Sequence, residues 1–261
     1  MLNFKKIAAA LEAHPNVWLI RAHFWPGATD EQIATAEANL EAPLHPDLIE
    51  FYKRHNGLFV KWLSKDSPLF ASGNYEEISK TDLRILEEEE LLWYDLMRPD
   101  GLPTKWDGQM VFASVQEVFG KEYTYAPGGT DLDPAMAWFE YIKDSPIDSA
   151  ELSRAKPFVI AGRTFASELD FRAQLRLFEN HSEDRGKLML WEPGKSDPEV
   201  FHCETHWCSF DLKFSMPMTE FIRGAAYNFG THHWCEPFYG VERAPRSFDP
   251  TQRLEEVLAE L

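Results

Sequence analysis

The stretch from Thr29 to Trp62 constrains this chain more than any other, because structural signals follow one another there without a gap. Thr29 followed three residues later by Gln32 is a capping box. Each side chain takes a backbone N–H that the first helical turn leaves open. Ile33, Ala36 and Leu40 then form an apolar stripe at helical spacing. A break at Ala42-Pro43 ends that helix, and Pro46 opens a second one at a position where its missing N–H costs nothing. Leu48, Phe51, Tyr52 and His55 stand at i, i+3, i+4 and i+7, which is one helix face. Asn56-Gly57 reads as a left-handed helix stop. LFVKWL then alternates, with Leu58, Val60 and Trp62 on one face of a strand. The stretch predicts two helices joined by a tight proline turn and delivered directly into a strand.

The rest of the chain supplies the partners such a unit needs. A first helix is expected over residues 2–13, with Leu2, Phe4, Ile7 and Leu11 on its apolar side and Pro15 stopping it. Further strands are expected at 109–113, 157–161, 187–191 and 206–212. Ser114 with Glu117 caps a short helix over 115–120. SMPMTEFIRGAAYNFG forms a helix burying Met218, Phe221, Ile222, Ala225 and Phe229, with Gly230 ending it. Asp249, Pro250 and Gln252 start a closing helix. The loops 127–134 (PGGTDLDP) and 192–198 (EPGKSDP) read as surface turns. Helices first, strands next and a late helix packing back predict an α+β fold. Its sheet is mixed and largely antiparallel, in a single domain over 1–261 with a C-terminal helical extension.

Charge narrows the function. With 26 Lys and Arg against 43 Asp and Glu, the net charge is −17. Such a surface repels phosphate backbones and anionic headgroups, which argues against nucleic-acid and membrane partners. It favours a basic protein partner, because opposite fields speed encounter. The first residues, MLNFKKIAAALEAHP, lack the apolar run of a signal peptide, and no stretch is long and apolar enough to span a bilayer. Three cysteines do not make a disulfide framework. The expectation is a cytoplasmic protein.

The segment from Thr29 to Trp62 resembles the N-terminal core of the SUKH superfamily: a capped helix with Ile33, Glu37 and Leu40, a proline-containing turn, Leu48, Phe51-Tyr52, and Asn56-Gly57 running into a strand. Later pieces are similar in order. PFVIAG (157–162) looks like the family's central strand, GKLMLW (186–191) like its Gly-led strand, and MTEFIRGAA like its closing helix. The turn reads LEAPLHPDL where the family usually has a Leu-Gly pair and then Leu-Pro, and Met218-Thr219 stands where Ser-Phe is usual. The resemblance implies a domain without catalysis. Many bacterial members look like immunity proteins that bind and neutralise a co-encoded toxin, often a nuclease.

Two groups of residues carry candidate chemistry. In LEEEELLWYDL, the carboxylates Glu87, Glu88, Glu89 and Glu90 adjoin Trp93 and Tyr94. Carboxylates can cap basic groups on a partner, and interfaces centre on Trp and Tyr. Asp131 and Asp133 offer a second acidic contact or serve as turn formers. The other reading of 86–96 is a solvated charged stretch beside a core segment. The second group is HCETHWC, residues 202–208. On one regular strand, His202, Glu204, His206 and Cys208 would share a face. Cys203 with His206, and His232 with Cys235, could instead close a tetrahedral zinc site, provided the chain turns between Cys203 and His206. No H-E-x-x-H, G-x-S-x-G, phosphate-loop or EF-hand pattern is present. The expectation is therefore no catalytic residue, no cofactor and no metal. The expected role is an immunity protein occluding a basic toxin domain, with the metal-dependent protein as the alternative.

Overall fold

The computed structural model describes residues 2–65, 107–120, 158–160, 163–166, 174–182, 185–204, 209–231 and 244–260. In chain order its elements are α1 (Phe4–Ala13), β1 (Val17–Phe24), α2 (Asp30–Leu40), α3 (Pro46–Arg54), β2 (Leu58–Ser64), β3 (Asp107–Phe112), α4 (Val115–Phe119), β4 (Phe158–Ile160), β5 (Arg163–Phe165), β6 (Leu175–Ser182), β7 (Arg185–Leu190), β8 (Glu199–Glu204), β9 (Ser209–Pro217), α5 (Met218–Tyr227) and α6 (Pro250–Glu260). The fold is α+β, as expected, and every pairing whose register is described is antiparallel. Two compact units emerge, each discontinuous in sequence. One holds Met1–Phe24, Phe59–Met110 and Ile222–Leu261, and the other holds Trp25–Leu58 and Val111–Phe221.

In the first unit the strand order is β1-β2-β3. Asn3 caps α1 by accepting from the Lys6 N–H at 3.2 Å, so the helix starts two residues later than its apolar pattern suggests. Phe4, Ile7 and Leu11 are buried, and α1 packs on β1 and α6. The link to α6 is sealed by His14. Its Nδ1 accepts from the Asn16 N–H, so Nε2 carries the proton that faces Glu255 Oε1 at 3.2 Å. Asp249 caps α6 by accepting from the N–H groups of Thr251 and Gln252, as expected.

The end of α5 locks onto β2 and β3 in the same unit. The N–H of Gly230 reaches Ala225 O and that of Phe229 reaches Ala226 O, the paired bonds of a Schellman motif. Phe229 and Gly230 are both left-handed there, with φ 55 and φ 66. The Phe229 carbonyl accepts from Trp62 Nε1–H at 2.8 Å, and the Phe229 and Trp62 side chains are fully buried. Gly108 must be glycine: a Cβ there would lie 2.3 Å from Trp62 Nε1 and 2.5 Å from Phe229 O. Burying each of these rings contributes roughly 2–3 kcal/mol from apolar area alone.

In the second unit the order is β3-β6-β7-β8-β9, and β4 pairs with β5 in a separate two-stranded sheet. PFVIAG is thus not a central strand, since its residues 158–160 turn back antiparallel onto 163–165. β6 carries two register shifts, one between Leu177 and Glu179. Phe178, two residues on from buried Arg176, stacks on Phe112 with centroids 5.4 Å apart and meets Phe221 edge-on. Phe51, Tyr52 and Phe119 extend this aromatic core. Burial raises the Tyr52 hydroxyl pKa well above its ordinary value.

The helix–turn–helix forms as the sequence requires. Both capping-box bonds of Thr29 and Gln32 are present, and Pro46 opens α3. Leu40 and Glu41 close α2 in a second Schellman motif, with bonds from Ala42 N–H to Glu37 O and from Glu41 N–H to Ala38 O. Glu41 occupies the left-handed position, with φ 57. Glu37 also uses its carboxylate, which accepts from the Leu44 N–H at 3.0 Å and fixes the proline turn. The stop after α3 differs from expectation. His55 is extended and ends the helix, while positive φ falls on Gly57 alone. A Cβ on Gly57 would press Phe112 O and the Trp25 ring. Asn56 instead turns outward from its own helix to cap α4, accepting from the Val115 N–H at 2.8 Å.

Candidate partner-binding surface

Two connections bear the acidic residues singled out from the sequence. Glu87–Glu90, Trp93 and Tyr94 lie between β2 and β3, and Asp131 and Asp133 lie between α4 and β4. All eight fall outside the described residues. The roots of both connections are described, and both are held tightly. Lys65 follows β2, and its backbone N–H donates to Asn16 O at 2.8 Å while Nζ donates to Pro15 O at 2.6 Å. Across the gap, Gly108 bridges Thr231. At the other root, Arg176 on β6 reaches the last carbonyls of α4. One guanidinium nitrogen donates to Val118 O at 2.7 Å and Gly120 O at 2.8 Å. Its plane lies 3.5 Å from the Trp191 ring centroid, and the residue is 8% exposed. A cation belongs at a helix C-terminus, where the carbonyl dipoles point at it.

Negative charge concentrates in these connections. Residues 66–106 hold ten acidic and four basic side chains. The described framework is more balanced, and its carboxylates are largely engaged. Asp30 meets Lys53 at 2.7 Å, which holds its carboxyl below the usual range through that hydrogen bond and the opposite charge. Both groups face water, so the pair adds little stability. Arg54 meets Glu50, and Lys195 meets both Glu192 and Glu199.

The loop after β7, read from sequence as a surface turn, is instead a junction. Gly194 N–H donates to Leu40 O, His45 N–H to Ser196 O, and Met218 N–H to Pro198 O. Asp197 caps α5 from 22 positions upstream. Its carboxylate accepts from Thr219 N–H at 3.1 Å and Thr219 Oγ1–H at 2.6 Å. Burial raises the Asp197 pKa above the ordinary carboxylate value, partly offset by the two Thr219 bonds and the nearby His45. Nothing local to α5 announces this cap, because the acceptor comes from another loop.

HCETHWC is not one strand. β8 ends at Glu204 and β9 begins at Ser209, and the register pairs Glu204 with Ser209. The alternation from His202 to Cys208 therefore stops at Glu204. Cys203 lies in β8 opposite Phe210, whereas His206, Cys208, His232 and Cys235 lie outside the described residues. Among the described residues no group of three or more His, Cys, Asp or Glu is placed to hold a metal ion. Nor is any described helix long and apolar enough to cross a membrane.

The stretch of chain from α2 to α4 is the part that decides its relationship. Residues 27–147 match the SMI1 / KNR4 family (SUKH-1). The SUKH resemblance read from Thr29–Trp62 is borne out over that span, which takes in the first acidic connection and most of the second. The SUKH-1 match fits an immunity-type, protein-binding domain. No curated protein and no solved structure matches the chain.

Proposed function

We propose that this protein is a non-catalytic, cytoplasmic immunity protein that neutralises a co-encoded toxin, a basic domain such as a nuclease, by occlusion. The observation that carries the reading is the SUKH-1 match over 27–147, since that span contains Glu87–Glu90, Trp93, Tyr94, Asp131 and Asp133. In this reading the carboxylates take the place of the phosphates a nuclease grips, and the two aromatic rings supply the desolvated anchors. A net charge of −17 supports a basic partner and disfavours nucleic acid and membranes as ligands. No cofactor, metal or catalytic group has a role in it.

The test is capture of the tagged protein from its source cells at low and high salt, with bound proteins identified by mass spectrometry. Expected is a basic, salt-sensitive partner that is toxic when expressed alone and harmless when co-expressed with this protein. A captured partner that is not toxic, or no partner at either salt, would overturn the immunity reading.

A further inference from the structure

We draw no further inference here: the strongest candidate, the face of β1 and β2 on which Arg21 lies 4.8 Å over the Phe59 ring with His23 and Lys61 at the same strand period, carries nothing because Lys61 is 5% exposed and nothing in the structure shows what covers it.

Discussion

Glu41→Gly should stabilise the protein, although it removes a charged side chain and adds backbone freedom. Glu41 is exposed, sits at φ 57 and ψ 24, and closes the Schellman motif of α2. A residue with a Cβ pays roughly 1–2 kcal/mol to stand in the left-handed region. Glycine pays nothing there but loses roughly 0.4–1 kcal/mol more entropy on folding. The difference favours glycine by about 0.5–1 kcal/mol. Glu41→Ala is the necessary control. It removes the same negative charge from the C-terminal end of a helix dipole, a gain of a few tenths of a kcal/mol, but leaves the strained φ in place. Urea denaturation at neutral pH, followed by far-UV circular dichroism, separates the two. At a slope of about 2–3 kcal/mol per molar, the Gly variant should shift the midpoint up by about 0.3 M, and the Ala variant by a third of that or less. Equal midpoints for Gly and Ala would refute the reasoning, because they would mean that no left-handed strain is stored at 41.

Charge reversal of Glu87–Glu90 to Lys should slow association with the captured partner at least tenfold at low salt and flatten its salt dependence, measured by stopped-flow or surface-plasmon kinetics; unchanged kinetics would remove those residues from the contact. Gly108→Ala should cost about 3 kcal/mol or prevent folding, because the new methyl overlaps Trp62 and the Phe229 carbonyl, and thermal unfolding reads it directly. Asp197→Asn keeps an acceptor for Thr219 while removing the buried charge. Because the folded Asp197 pKa is raised, its contribution is fully present below the unfolded value near 3.8 and is lost as pH rises through the folded value. The wild type should therefore lose ground to the Asn variant between about pH 4 and neutrality, a trend that urea midpoints across that window would reveal or reverse. Protein purified without a metal-affinity column should contain no stoichiometric zinc, and Cys203→Ser should leave elemental analysis unchanged.

The parts of this fold that were legible in the sequence are those whose signals are local. The Thr29 and Ser114 capping boxes, Pro46, Asp249 and the apolar face of α5 each act within one turn of the residue that announces them. β6 was missed because its pattern misleads. In LRLF the inward residues are Arg176 and Phe178, so a cation stands where the strand period calls for an apolar side chain, and two register shifts interrupt the pairing with β7. β1 was missed because its apolar start, Val17–Ile20, gives way to exposed Arg21, Ala22 and His23, so neither a half-buried nor a fully buried strand pattern persists. Asn56 shows a subtler failure: its neighbour Gly57 suggests a helix stop, yet the side chain serves a helix 59 positions away. The candidate contact residues rest on charge and aromatic content in two connections, signals that name a residue type and carry no geometry.

The outermost strand of the second unit carries one more consequence. Between β8 and β9 the partner of Phe201 is Ser215, but the partner of His202 is Asp211. Residues 212–214 thus have no opposite number, and the ladder skips three rungs in the middle of a nine-residue strand. A gap of that size interrupts the flat, evenly spaced template on which a further, foreign strand would pair. A chain with a net charge of −17 already repels its own copies, and such a fault adds a second guard against pairing. Closing it, by deleting residues 212–214, would give β8 and β9 an unbroken ladder and an edge on which a second copy could pair.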